Sequence, residues 1–71
     1  MRDATPNLTG RETQVLRLLS TGDTVSSIAR QLSLSPHTVD TYIRRLRTKT
    51  GTVNRTQLTV FAVQNGYVGT L

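Results

Sequence analysis

The sequence predicts an all-α fold, a compact arrangement of four short helices without a wing. Three observations predict it. Apolar residues recur at helical spacing throughout the chain. Helix-start residues stand ahead of each apolar run, at Thr9, Thr24, Ser35 and Asn54, and glycines follow three of the runs, at Gly22, Gly51 and Gly66. The chain has 71 residues and no cysteine, which suits one small domain and excludes a disulfide framework or a zinc-finger set.

The first helix is expected over about residues 9–20. Thr9 and Glu12 have the spacing of a capping box, in which each side chain satisfies the other's free backbone N–H. Val15, Leu18 and Leu19 then share one face, with Leu16 at its edge. The second helix fits residues 25–32, capped by Thr24, with Val25, Ile28, Ala29 and Leu32 as its apolar stripe. Ser33-Leu34-Ser35 leaves room only for a tight turn. Ser35 caps the third helix, residues 36–50, and Pro36 occupies its first position, where a missing N–H costs nothing. This helix is roughly 22 Å long at about 1.5 Å per residue. Val39, Ile43 and Leu46 make its buried stripe, with Tyr42 beside them. The opposite face carries His37, Thr41, Arg44 and Thr48, flanked by Arg45. The fourth helix fits residues 55–65, where Asn54 and Gln57 repeat the capping-box spacing. Leu58, Phe61 and Ala62 face inward there; Val60 and Val63 have no core to enter. Residues 1–7 read as a linker-like or disordered start, 8–66 as the domain and 67–71 as a tail.

Charge adds a functional direction. The net charge is +5, and Arg44, Arg45, Arg47 and Lys49 stand against Asp40 alone within residues 36–50. Cations clustered on the free face of one helix are the electrostatic footprint of a phosphate-backbone binder. Two helices joined by a short turn, the second basic on its free face, describe a helix-turn-helix, whose second helix enters the major groove of double-stranded DNA. Other classes find little support. His37 is the only histidine, so no His-rich metal site exists, and no metal or cofactor is expected. No paired acids, no nucleophile beside a base and no glycine-rich phosphate loop suggest an enzyme, so no catalytic residue is assigned. No apolar run approaches the ~20 residues of a membrane span, and the polar start lacks the apolar centre of a signal peptide. The expected setting is therefore the cytoplasm, with no membrane partner and no small-molecule ligand.

The residues now resemble one family. Leu8-Thr9-Gly10-Arg11-Glu12 followed by Val15-Leu16 looks like the L-T-x-R-E-x-x-V-L opening of the LuxR/NarL/FixJ-type (GerE-like) DNA-binding domain of bacterial regulators. The match continues through Gly22, Ile28-Ala29, Leu32, Leu34-Ser35 and Thr38-Val39. It ends with Lys49, Gly51, Val53, Arg55-Thr56-Gln57, Ala62 and Gly66. The resemblance implies four helices, the third in the major groove, and a homodimer on paired half-sites formed through the fourth. It implies base contacts from Asp40, Thr41 and Arg44. Phosphate contacts are expected from Thr24, Ser35, His37, Thr38, Arg45, Arg47 and Lys49, and a dimer face from Thr56, Val60, Val63 and Gln64. Glu12 and Arg55 are expected to be structural, Glu12 in its capping box and Arg55 as an ion-pair partner.

Three positions depart from the family pattern. Asp40 replaces a common lysine, Tyr42 a common histidine, and Thr50 a leucine, which predicts a looser corner of the core. At Asp40 two readings stay open: it accepts a hydrogen bond from a cytosine amino group, or it pairs with Arg44 one turn on. Two other functions compete with groove reading: a protein-interaction module built on the Val60/Val63 face, and the promoter-recognition domain of a sigma factor. Asn54-Arg55-Thr56-Gln57 speaks against the second. RNA polymerase and an upstream sensor domain are further expected partners. The chain shows no sensor of its own, so it reads as a stand-alone regulator or as the output domain of a longer one.

Overall fold

The computed structural model describes residues 7–67. It contains α1 (Gly10–Ser20), α2 (Val25–Leu32), α3 (Pro36–Thr50) and α4 (Arg55–Gln64), with no strand among the described residues. The expected bounds hold to within a residue: Thr9 is the cap of α1 and not its first turn, and Asn65 is the cap that ends α4. The expected start and tail, 1–7 and 67–71, lie outside the described residues except for Asn7 and Tyr67.

Each helix begins on a side-chain oxygen that takes up a free N–H of the first turn. Thr9 accepts from the N–H of Glu12, Thr24 from Ser27, Ser35 from Thr38 and Asn54 from Gln57. At Thr9 the box is complete, because the Glu12 carboxylate accepts from the Thr9 N–H at 2.9 Å. At Asn54 it is not. Gln57 reaches one residue further back and accepts from the Val53 N–H at 2.9 Å.

Each helix also ends the same way. A residue with positive φ follows it, at Gly22, Ser33, Gly51 and Gly66. The next N–H then returns to the carbonyl five residues earlier, at 2.8–3.1 Å: Asp23 to Leu18, Leu34 to Ala29, Thr52 to Arg47 and Tyr67 to Ala62. This is the Schellman closure, which satisfies carbonyls that the helix leaves free. Three of the four positions are glycine, which adopts left-handed backbone without a Cβ clash. Ser33, at φ 58° and ψ 42°, is the exception.

The core is made by Val15, Leu16, Leu19, Ile28, Ala29, Val39, Ile43, Leu46, Leu58 and Ala62. α1 packs against all three other helices, and α3 also packs against α2 and α4. This corrects the expected stripe of α1. Leu16 is fully buried and Leu18 only partly, so the buried face is centred on Glu12, Val15, Leu16 and Leu19. A charged residue at position 12 concealed that centre from a reading of apolar spacing. Thr50 is half-buried, its hydroxyl donates to Leu46 O at 2.7 Å and lies 2.9 Å from the Thr52 hydroxyl, so its polar group is satisfied locally. The α2–α3 turn is three residues long, and Leu34 within it packs on the core, fixing how α3 leaves α2.

Candidate nucleic-acid interface

α3 turns Val39, Ile43 and Leu46 into the core, so its remaining residues are displayed by default. His37, Asp40, Arg44, Arg45, Arg47 and Thr48 are exposed, and Thr41 is half-buried. A shallow open depression of about 280 Å³ on this face is lined by Thr41, Arg44, Arg45, Thr48 and Lys49. The Arg44 and Arg47 guanidinium groups form no hydrogen bond or ion pair among the described residues. Arg45 holds its guanidinium carbon 5.7 Å from the centre of the Tyr42 ring, a cation–π contact that steadies the side chain without using its donors. Tyr42 thus both flanks the core and supports a cation.

The hydroxyls on and around α3 are engaged with backbone. Thr41 donates to His37 O and Thr48 to Arg44 O, each at 3.2 Å. This uses the Thr41 hydroxyl proton and leaves its methyl and the hydroxyl oxygen's acceptor capacity open. Thr24, Ser35 and Thr38 belong to the helix starts, with Ser35 and Thr38 oxygens 2.9 Å apart. The N-terminal end of α3 carries no acid in its first turn, which leaves the positive end of its dipole uncompensated.

Two expected roles change. The Lys49 ammonium lies 2.7 Å from the Glu12 carboxylate, which is 2% exposed, and it also donates to Asn7 O at 3.4 Å. Lys49 therefore fastens α3 to the start of α1. Burial pushes the Glu12 carboxyl up; the hydrogen bonds from Lys49 and from Thr9, with the Lys49 charge, outweigh it and hold the group below its usual range. Arg55 makes no ion pair among the described residues. Its Nη2 donates to Leu19 O at 2.9 Å and to Asp23 O at 2.8 Å, tying the start of α4 to the end of α1. A signal for the first pair exists in the sequence, since a carboxylate amid apolar residues demands a cation. Nothing in the sequence identifies the carbonyl partners of Arg55.

Asp40 and Arg44 do not pair either; among the described residues the one ion pair is Glu12–Lys49. On α4, Val60 and Val63 are 48% and 61% exposed, with Thr56 and Gln64 exposed on the same side. Among the described residues there is no cluster of His, Cys, Asp and Glu fit to hold a metal ion, and no helix is long and apolar enough to cross a membrane.

Four helices in this order, with a three-residue turn before a basic helix, match a single family description. The model of the bacterial regulatory proteins of the luxR family, GerE, covers residues 6–62. The chain belongs to this family. It is thus a LuxR-type helix-turn-helix DNA-binding domain of transcriptional regulators. It is 48% identical over 60 residues to the response regulator Rre1 of Synechocystis, covering 84% of this chain and 26% of that protein. It is 40% identical over 68 residues to the transcriptional regulatory protein YvfU of Bacillus subtilis, covering 96% of this chain and 34% of that one. Among solved structures, VqmA of Vibrio cholerae in complex with ligand and DNA matches with a TM-score of 0.85 at 35% identity, over 100% of this chain and 31% of that one. The transcription factor GerE matches with a TM-score of 0.80 at 31% identity, over 87% of this chain and 92% of that one. The chain thus spans about a third or less of the length of the two curated regulators.

Proposed function

We propose that this LuxR-type domain binds double-stranded DNA sequence-specifically, with α3 in the major groove. The observation that carries this is the exposed basic face of α3, whose Arg44 and Arg47 guanidinium groups have no partner among the described residues. In a domain where Glu12, Lys49 and Arg55 are all committed to structure, cations left uncommitted on one helix are available to a polyanion. Asp40, Thr41 and Arg44 face the bases, Arg44 as a bidentate donor to guanine and Thr41 through its methyl to thymine. His37, Arg45 and Arg47 hold phosphates, joined by the hydroxyls of Thr24, Ser35 and Thr38. Lys49 touches phosphate only with whatever donor its bond to Glu12 spares. Residues 8–66 form the binding unit. The Val60/Val63 face, rimmed by Thr56 and Gln64, joins two copies on paired half-sites. The domain acts in the bacterial cytoplasm, on the nucleoid, as a stand-alone regulator or as the output part of a longer one, with RNA polymerase and an upstream sensor domain as further partners. The DNA complex of VqmA, a related protein of the same fold, supports the reading.

Binding constants measured across salt concentrations test it. Log K should fall linearly with log salt, by about 0.9 for each phosphate neutralised. Arg44→Ala should cost roughly 1–3 kcal/mol and relax the preference at one base pair. Equal weakening on every sequence would make Arg44 a phosphate clamp.

A further inference from the structure

We infer that Asp40 is a specificity-determining residue that selects cytosine beside the guanine read by Arg44. The inference rests on the groove-binding reading above and goes one step further, to the base that a free carboxylate at this position selects.

Three acids fall within the described residues, and two are built into the fold. Glu12 holds Lys49 and the Thr9 N–H. Asp23 accepts from the Ser27 hydroxyl at 3.4 Å. Asp40 is exposed and makes no hydrogen bond or ion pair among the described residues. It does not serve the helix start either, since Ser35 takes that role and no acid stands in the first turn of α3. Arg44 lies one turn on, with Cβ atoms about 5–6 Å away on helical geometry, yet the two side chains stay apart. The carboxylate therefore has no structural task, and it stands among Arg44, Arg45 and Arg47 on the face offered to DNA.

A carboxylate there repels phosphate and accepts hydrogen bonds only. The major groove offers two donor groups, the amino groups of cytosine and adenine. On adenine the donor sits beside N7, an acceptor that repels a carboxylate. Cytosine presents its amino group with no acceptor on the same base edge. Cytosine is thus the base that rewards an aspartate. The rise from residue 40 to 44 is about 6 Å along the helix, close to two base-pair rises of about 3.4 Å. The cytosine and the guanine of Arg44 therefore fall within two base pairs of one another.

Selection of bound duplexes from random DNA, run with the wild-type chain, Asp40→Ala, Asp40→Asn and Arg44→Ala, tests this. Thermal melts confirm that each variant is folded. Wild type should return sites with a cytosine and a guanine position within two base pairs. Asp40→Ala should lose the cytosine preference, about tenfold, and keep the guanine. Asp40→Asn should change that position to adenine, which an amide bonds at N6 and N7. Arg44→Ala should lose the guanine and keep the cytosine. If Asp40→Ala returns the wild-type site, or only binds every sequence more tightly, Asp40 selects no base and the inference falls while groove binding stands. If wild type returns no preferred sequence, both fall.

Discussion

Glu12 is a charge placed where an apolar residue would serve packing. Its burial is tolerable because Lys49 and the Thr9 N–H both meet its Oε1, and removing one partner strands the other. Lys49→Met should destabilise the domain by about 2–3 kcal/mol, below the range for a fully buried pair because the Lys49 side chain keeps 36% of its surface exposed. The carboxyl is held below its usual value, so the unfolded chain binds more protons in acid. The pair's stabilisation is then complete above about pH 4.5 and is lost as pH falls through the folded value. Denaturant melts of wild type and Lys49→Met across pH 3–7 (a range of about four pH units) should show their stability gap closing toward the acid end. Ser33 is the second strained choice. Its left-handed backbone costs an L-residue roughly 1–2 kcal/mol, and glycine avoids this while adding flexibility to the unfolded chain. Ser33→Gly should raise stability by about 0.5–1 kcal/mol, and Ser33→Val should lower it. The thermal midpoints of the two variants decide this.

At the scale of elements, the helices owe their limits to local chemistry and their positions to packing across the core, tied at two places by long-range hydrogen bonds. Capping oxygens and Schellman closures are written within five residues of each helix end. The docking of α4 on α1 depends instead on Arg55, 36 residues from Leu19 and 32 from Asp23. A charge-assisted bond to a carbonyl is worth about 1.5–3 kcal/mol when dry and less at a partly wet site. Arg55→Ala should therefore cost about 1–2 kcal/mol, measured by denaturant unfolding. Arg55→Lys should restore only part of it, because an ammonium on a shorter reach replaces a planar fork. Amide exchange at the end of α1 should quicken in the alanine variant, since its carbonyl partners are lost there.

At the scale of the whole molecule, α1 and α3 each pack against all the other helices, while α2 and α4 pack on both and not on each other. The exposed basic face of α3 and the exposed valines of α4 stand on different helices, so the proposed DNA reading and the proposed contact between copies are testable by separate substitutions. Val60→Asp or Val63→Asp should reduce cooperative binding to a duplex with two half-sites and leave single-site binding unchanged. Gel-shift titrations on both duplexes measure this. Unchanged cooperativity would remove α4 from the contact between copies.

The sequence by itself determined the four helices, their caps, the turn between α2 and α3 and the family. These rest on signals spaced a few residues apart, where capping oxygens, glycines and apolar periodicity act on the nearby backbone. Most of the inward stripe of α3, and with it the identity of the displayed residues, was legible for the same reason. The tertiary structure alone decided how distant charges pair. It gave Lys49 to Glu12, gave Arg55 to two carbonyls, and left Asp40 apart from Arg44. It also recentred the buried face of α1 on Leu16. Such pairings depend on which helices meet and at what angle, and that is set by packing across the core and not by any short stretch of chain.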